Sequence, residues 1–191
     1  TFEGAVFSYP SVDTSPCTED GLDAINQDAL DAFTAAGNTI SGYTNIAFVY
    51  GVECGFFAKA QVLRPGSSQL AKSYFPENNF NRCAAVAHEL GHNLGFSHAD
   101  STKCGSALYK QNRSGCTDEE YGNPFDVMGY SSVACTEEGH YSVMHKRYAG
   151  YLAVCEDVTA GGSATFHVSP AEGSCGMRSL RIPVAGESNY Y

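Results

Sequence analysis

The sequence predicts an α+β fold in which a mixed β-sheet packs on two helices. Residues 20–36 carry apolar side chains at helical spacing, and Gly37 directly after them predicts the end of a helix. A second helical pattern closes near Gly95, and short apolar runs typical of strands lie at 46–50 and 56–63. Helices and short strands within one segment are typical of this fold class.

The first of these elements are expected to build the sheet and its support. Residues 2–9 favour a strand that ends at Pro10. The helix over 20–36 is interpreted as structural, because its apolar positions are those of a helix that backs a sheet. These positions are Leu22, Ile25, Ala29, Leu30 and Phe33. The strand-type run 56–63 is followed by a turn at 64–66.

Composition and charge limit the possible partners. The chain has 11 basic and 21 acidic residues, which gives a net charge of −10. Such a surface repels phosphate backbones and argues against nucleic acid as a partner. No apolar run approaches the roughly 18 residues needed to span a bilayer. With 191 residues, 43% of them hydrophobic, the chain can bury the core of one domain, or of one domain and the beginning of another.

The cysteines indicate a secreted protein with disulfides. Eight of them lie at positions 17, 54, 83, 104, 116, 135, 155 and 175, with no C-x-x-C pair that would favour a thiolate zinc site. An even, dispersed set predicts four disulfides in an oxidising compartment. A short intervening loop favours the pair Cys104–Cys116, Cys155–Cys175 is a second candidate pair, and the remaining pairings stay open. Asn112 begins a glycosylation sequon.

The chemistry is concentrated between His88 and His98, where the chain has the pattern H-E-x-x-H-x-x-G-x-x-H. Positions four apart share one face of a helix, so His88 and His92 can hold one ion together. Gly95 suits the sharp turn that ends the helix, and this turn can bring His98 round as a third imidazole. Glu89 lies beside the first histidine and can accept a proton from a metal-bound water without binding the metal.

Three imidazoles, an open position and an adjacent carboxylate predict a catalytic Zn²⁺ site, in which the pKa of bound water falls to about 7. Imidazoles would also suit copper, nickel or iron, but the tetrahedral set with a glutamate base favours zinc. The alternative is a surface helix that carries two histidines and a glutamate by chance. Gly95 and His98 at the required offsets argue against it, and Val86, Leu90 and Leu94 form an apolar stripe that we expect to be buried.

This pattern resembles the metzincin clan of zinc endopeptidases. Members of the clan carry a methionine in a tight turn beneath the zinc ligands, and Met128, followed by Gly129, is the candidate. Segments 120–129 and 139–152 are similar to gametolysin-type secreted peptidases, and the likeness covers roughly residues 43–152. The resemblance implies a twisted mixed sheet with long helices above a zinc cleft, and a smaller irregular C-terminal subdomain with a helix.

The same resemblance divides the chain. Residues 1–157 are expected to form the catalytic domain, with an N-terminal subdomain over about 1–95 and a C-terminal subdomain over about 96–157. From Val158 onward glycine, serine and β-branched residues dominate. We therefore expect 158–191 to begin a β-rich C-terminal module that is incomplete.

Within these parts, residues 142–152 predict a short amphipathic helix. Residues 164–168 and 179–184 predict strands of the C-terminal module. The chain begins at Thr1 without a methionine or a signal-peptide pattern, which predicts a processed or excised fragment.

The resemblance also assigns roles around the cleft. In astacins and serralysins a tyrosine two residues past the turn methionine binds zinc or stabilises the transition state, and Tyr130 occupies that offset; packing in the cleft wall is the alternative. Asp126 is expected to hydrogen-bond within the turn rather than orient a zinc histidine. A substrate-pairing edge strand is expected within 57–74, and specificity determinants within 131–134. The remaining histidines, His140, His145 and His167, are expected at the surface or in packing.

These observations predict a secreted, monomeric zinc endopeptidase in which Glu89 takes a proton from the attacking water and delivers it to the departing amine. Its substrates would be proteins or peptides, and the resemblance points to extracellular-matrix or cell-wall proteins. One alternative is a catalytically silent metzincin-like binding or adhesion module, which loss of Glu89 or of a histidine would mark. Another is a structural metal domain, which a fourth protein ligand would mark. The motif has neither feature.

Overall fold

The computed structural model describes residues 6–8, 19–51, 54–80, 82–106, 114–129, 140–152, 157–159, 163, 165–170 and 176–181. Its elements in chain order are α1 (Glu19–Ala35), β1 (Asn45–Tyr50), β2 (Lys59–Ala60), β3 (Ala71–Pro76), α2 (Glu77–Phe80), α3 (Cys83–Asn93), β4 (Ser101–Lys103), β5 (Thr117–Glu119), α4 (Val143–Tyr148), β6 (Asp157–Thr159) and β7 (Ser179–Arg181). The expected α+β class is confirmed, whereas the finer arrangement of subdomains stays a prediction.

The main sheet is mixed and has the strand order β1-β3-β2. β1 runs parallel to β3, with Asn45 opposite Ala71, and the short β2 pairs antiparallel to β3. The central strand β3 is the most buried, since Ala71 and Phe75 are almost inaccessible to solvent. The strand expected over 56–63 is much shorter, because only Lys59 and Ala60 pair with β3.

Helix α1 lies within one residue of its predicted bounds and has the predicted structural role. Leu22 on this helix forms a buried cluster with Phe48 and Tyr50 of β1. The Tyr50 hydroxyl donates a hydrogen bond of 2.7 Å to Asn26 Oδ1, which joins the helix to the strand by a buried polar contact. Burial raises the pKa of Tyr50, so this hydroxyl keeps its proton and remains a donor.

Helix α3 ends where the sequence predicts, and its end requires a glycine. The backbone of Leu94 caps the helix, and Gly95 follows with φ of 95°. A Cβ atom on Gly95 would lie 2.4 Å from the Leu63 carbonyl oxygen, so the position excludes side chains for steric as well as conformational reasons. The Leu63 amide also donates to the His92 carbonyl at 3.1 Å. The chain after β2 is thereby held against the end of α3.

The apolar stripe expected to bury α3 is only partly buried, although Leu94 does pack against a hydrophobic core. Val86, Leu90 and Leu94 are only half-buried, whereas Glu89 and His92 are buried. Ala85, Gly91 and Asn93 are the other buried residues of the helix. The stripe is less buried than expected because polar contacts, rather than apolar ones, hold the C-terminal half of α3 to the sheet.

Asn93 makes most of these polar contacts. Its Oδ1 accepts hydrogen bonds from Ser73 Oγ at 2.7 Å and from Asn45 Nδ2 at 3.3 Å. Its Nδ2 donates to the backbone carbonyls of Gln61 at 3.0 Å and Lys72 at 3.2 Å. One buried amide therefore ties α3 to both β1 and β3, and no sequence pattern had singled it out.

A second core lies beneath the other side of α3. Phe96, Ala99 and Met128 are buried together, and Tyr141 packs against them. The Tyr141 hydroxyl donates to the carbonyl of Ala87 in α3 at 2.5 Å. This core joins the helix to the chain that follows it.

The irregular C-terminal half contains a two-stranded antiparallel sheet, β4–β5. The disulfide Cys104–Cys116 joins the two strands, as the sequence predicted. α4 is shorter than the predicted helix over 142–152, and the Ser142 side chain caps its beginning by accepting from the His145 amide at 3.4 Å. Among the described residues, no helix has the length and apolar character to cross a membrane.

Several predictions fall at the ends of the description. Residues 6–8 are not part of a strand, and the rest of the predicted strand 2–9 lies outside the described residues. Both cysteines of the predicted disulfide between Cys155 and Cys175, and the sequon residue Asn112, also lie outside them. β6 and β7 pair in parallel, which confirms a strand at the start of 179–184. Residues 165–168 are irregular, so the strand predicted there is wrong for those residues. The domain boundary at 157 stays a prediction.

Candidate metal centre

Three histidines converge at the end of α3. His88 and His92 are one turn apart on the helix, and the chain reversal at Gly95 carries His98 back to them. Each of the three offers one ring nitrogen, and these nitrogens lie within 4.8 Å of one another. The Nε2 atoms of His92 and His98 are 3.1 Å apart.

The hydrogen bonds of the rings define which nitrogen is available. Nδ1 of His88 lies 2.9 Å from the Val127 carbonyl oxygen, and Nδ1 of His92 lies 2.8 Å from the Phe96 carbonyl oxygen. A carbonyl oxygen can only accept, so each Nδ1 carries the proton and the Nε2 of a neutral ring has a bare lone pair.

His98 follows the same rule through a side chain. Its Nδ1 lies 2.7 Å from Oε1 of Glu120, and an ionised carboxylate also only accepts. All three rings therefore keep Nε2 for another partner.

The electrostatics of the cluster fit a cation. Burial lowers the pKa of both His88 and His92, and each is lowered further by its histidine neighbours, so these rings are neutral at pH 7. Bare lone pairs facing each other at short range repel unless a positive charge lies between them. Tetrahedral zinc with Zn–N bonds of about 2.0–2.1 Å needs nitrogens roughly 3.4 Å apart. The Nε2 atoms of His92 and His98 are 3.1 Å apart, and all three ligand nitrogens lie within 4.8 Å of one another. The residues present fit such an ion.

Glu89 lies next to this cluster and is buried, with 5% of its surface exposed. Burial raises the pKa of its carboxyl group from 4.5 to about 7. Within the described part of the chain, its Oε2 atom has no hydrogen-bond partner. A buried carboxylate oxygen without a partner costs free energy unless a water or ligand satisfies it. The atom is therefore free to act as an acceptor.

The turn at Met128 lies against α3 between the two helical histidines. The Gly129 amide donates to the Asp126 carbonyl at 2.9 Å, which closes the turn. Met128 is fully buried, and a Cβ atom placed on Gly91 would lie 2.2 Å from its sulfur. The helix and turn are therefore in close contact, and the Val127 carbonyl within the turn is the partner of His88.

Asp126 holds this turn together, in the role expected for it. Its Oδ1 accepts from the Met128 amide at 2.8 Å, and its Oδ2 accepts from the Ser142 amide at 3.0 Å and from His145 Nδ1 at 2.8 Å. Burial raises the pKa of Asp126, but the hydrogen bonds from His145, Ser142 and Met128 outweigh burial and leave the pKa below its usual value. The link from the turn to α4 was not predicted.

The other histidines have packing or surface positions, as expected. His145 packs on Phe96, with 4.7 Å between ring centroids, in addition to its contact with Asp126. His140 and His167 are exposed.

Tyr130 and residues 131–134 lie outside the described residues, so their predicted roles remain predictions. A different tyrosine lies at the cluster. The ring centroid of Tyr121 is 3.9 Å from that of His98 and 5.8 Å from that of His88. Burial raises the pKa of Tyr121, and the nearby acids Glu120 and Glu89 raise it further. The sequence pointed to Glu120 and Tyr121 only as members of segment 120–129, which is similar to gametolysin-type peptidases.

Comparison with known proteins identifies a family. The family model described as metallo-peptidase family M12B, reprolysin-like, matches residues 17–161. The matched range includes the histidine cluster, Glu89 and the turn at Met128. No curated protein and no solved structure matches the chain.

Proposed function

The chain belongs to the reprolysin-like M12B family of metallopeptidases, and we propose that it is a zinc-dependent endopeptidase that cleaves internal peptide bonds of proteins. The observation that carries the proposal is the convergence of three histidine nitrogens beside a buried carboxylate, one oxygen of which has no hydrogen-bond partner among the described residues. Membership of a peptidase family implies protein substrates.

In this proposal His88, His92 and His98 hold the ion through Nε2. Bound zinc would polarise the scissile carbonyl and lower the pKa of a coordinated water to about 7. The acceptors on the three Nδ1 atoms orient the rings and select the tautomer that leaves Nε2 free.

Glu89 moves the proton. Its Oε2, which has no partner in the part of the chain that the structure describes, accepts a proton from the attacking water, and the same carboxyl group donates it to the departing amine. A pKa raised to about 7 suits both halves of that transfer, although a cation nearby lowers it.

We further propose that Met128 supports the helical histidines from below and that Tyr130 assists in stabilising the oxyanion. As in gametolysin-type peptidases, the protein would be secreted, act as a monomer and cleave extracellular-matrix or cell-wall proteins. The disulfide Cys104–Cys116 and the dispersed cysteines support an oxidising compartment.

The test combines metal content with cleavage of a denatured protein such as casein. We expect one zinc per chain, with cleavage abolished by a zinc chelator and restored by added zinc. Glu89→Ala should bind zinc normally while losing at least about 100-fold in turnover, since positioned proton transfer contributes about 10²–10⁴-fold. Glu119→Ala, which removes an exposed carboxylate paired with Lys103, is the matched control and should cleave at the wild-type rate.

Activity of Glu89→Ala within tenfold of wild type would contradict the assignment of the base. A wild-type protein that holds one zinc yet cleaves nothing would favour the binding or adhesion module instead.

A further inference from the structure

His98 differs from the other two histidines in what holds its second nitrogen. Backbone carbonyls accept from His88 and His92, whereas the acceptor for His98 is the side chain of Glu120. We propose that Glu120 is a positioning residue for the metal centre: its carboxylate fixes the His98 ring and strengthens the binding of zinc at Nε2. This inference rests on the proposed zinc-dependent function.

His98 needs such a partner because it lies outside any regular element. Its two companions are on α3, where the helix and nearby carbonyls restrict their rings. Residues 96–100 are irregular, so no regular backbone restricts the His98 ring. A free ring would lose rotamer freedom on binding metal, and an acceptor at Nδ1 removes much of that cost in advance.

The chain around Glu120 is held in place by contacts with the residues that directly follow His98. Glu120 directly follows β5, and β5 pairs with β4, which begins at Ser101. The Tyr121 amide donates to Asp100 Oδ1 at 3.2 Å, and the Asn123 amide donates to the Ala99 carbonyl at 3.0 Å. These contacts join the segment after β5 to the residues immediately after His98. The backbone at Glu120 is therefore held close to His98.

Tyr121, the residue after Glu120, also contacts His98. The backbone of Tyr121 has a φ of 61°, and its ring lies 3.9 Å from the His98 ring between centroids. His98 is thus held at one edge by Glu120 and against one face by Tyr121. The Nε2 edge is left directed toward His92, at 3.1 Å between nitrogens.

The exposure of Glu120 argues that it positions His98 rather than stabilises the fold. The side chain of Glu120 is 67% exposed, and that of His98 is 24% exposed. Exposed ion pairs contribute little to stability. A carboxylate on a metal-bound imidazole has a larger effect on the metal, since its loss costs about 10–100-fold in metal affinity or activity. The expected signature is weakened zinc binding in a protein that is otherwise normally folded.

The experiment measures zinc affinity by competition with a chromophoric chelator, starting from the metal-free full chain. We expect Glu120→Ala to raise the Kd for zinc by about 10–100-fold. Glu120→Gln keeps an oxygen acceptor without the charge and should have a smaller effect. The control Glu119→Ala removes the neighbouring carboxylate, which contacts Lys103, and should leave the Kd unchanged.

Cobalt substitution provides a readout that a purely structural role would not move. We expect the visible absorption bands of the cobalt-loaded protein to shift in Glu120→Ala and not in Glu119→Ala, because only the former changes a ligand's orientation and basicity. Thermal unfolding of the metal-free variants checks that each is folded. Should Glu120→Ala fail to fold, Glu120→Gln still carries the test through its Kd and spectrum.

Equal zinc affinity and an unchanged cobalt spectrum in the Glu120 variants would overturn the positioning role, whatever the peptidase assay shows. An equal loss in Glu119→Ala would also overturn it, since the effect would then be one of general surface charge. Wild-type protein that binds zinc without cleaving casein would contradict the proposed function alone, because the affinity ratio would still measure Glu120. Failure of the wild type to bind zinc would overturn both.

Discussion

The candidate metal centre joins two regions built in different ways. On the α3 side, His88 and His92 share a helix, and backbone carbonyls hold their Nδ1 atoms. On the β4–β5 side, His98 lies in an irregular segment and depends on the side chains of Glu120 and Tyr121. The first region is largely buried, whereas the second is partly exposed.

The two kinds of hydrogen-bond acceptor respond differently to substitution. A backbone carbonyl persists through almost any substitution, so the helical histidines keep their tautomer as long as the fold is intact. A side-chain acceptor can be changed without affecting the fold. In the proposed zinc site, the third histidine is therefore the place where substitutions are expected to adjust zinc affinity at little cost in stability.

The largest expected effect comes from removing a histidine in each region. His92→Ala and His98→Ala should each weaken zinc binding by more than roughly 100-fold, which exceeds the loss expected when only a hydrogen-bond partner of a histidine, such as Glu120, is removed. Only His92→Ala should also destabilise the metal-free protein, by about 2 kcal/mol, because it leaves the buried Phe96 carbonyl without its donor. His98→Ala should change that stability by less than about 1 kcal/mol.

Zinc competition and urea unfolding of the metal-free proteins measure the two quantities. Equal destabilisation by the two alanine substitutions would contradict the prediction that only the histidine of the buried region contributes to the stability of the metal-free protein.

The second prediction concerns the buried carboxyl group on the α3 side. Because burial raises the pKa of Glu89 from 4.5 to about 7, the folded metal-free protein binds more protons than the unfolded chain in this window. The contribution of Glu89 to stability is therefore fully present below pH 4.5 and is lost as the pH rises through about 7. The loss amounts to at most about 3 kcal/mol.

Urea unfolding of metal-free wild type and Glu89→Gln across this pH range tests the sign. His88 and His92, whose pKa values are lowered, contribute with the opposite sign but are common to both proteins. Wild type should become less stable relative to Glu89→Gln as the pH rises. A constant difference would show that Glu89 does not titrate differently on folding.

The smallest expected effect concerns the contact between α3 and the methionine turn. A Cβ atom on Gly91 would meet Met128 Sδ at 2.2 Å and the Tyr141 ring at 2.9 Å. Gly91→Ala should destabilise the protein by about 1–3 kcal/mol through overpacking. The matched control is Gly55→Ala, where a Cβ atom would have no neighbour within 4 Å.

Urea unfolding measures both variants. Equal stability of Gly91→Ala and wild type would mean that the turn can move away from the helix, and would remove the argument for rigid support.

Elements with strong local signals were predictable in position. The apolar period of α1 and the glycine that ends α3 located both helices to within a residue or two. Weaker signals were less reliable. The apolar run 56–63 became a two-residue strand, because pairing with β3 rather than composition decides how much of it is a strand. The apolar stripe on α3 is only half-buried, because Asn93 hydrogen-bonds to the sheet where apolar packing was expected.

The sequence by itself determined the composition of the three-histidine cluster, because the offsets between His88, His92 and His98 follow from helix geometry and one glycine turn. It also favoured the disulfide Cys104–Cys116, because only a short loop separates the two cysteines, and the structure contains this disulfide. Only the tertiary structure decided what surrounds those ligands. Glu120 lies 22 residues from His98 in sequence, and the Val127 carbonyl lies 39 residues from His88. Contacts of this kind depend on how separate segments pack, and periodicity along the chain carries no information about them.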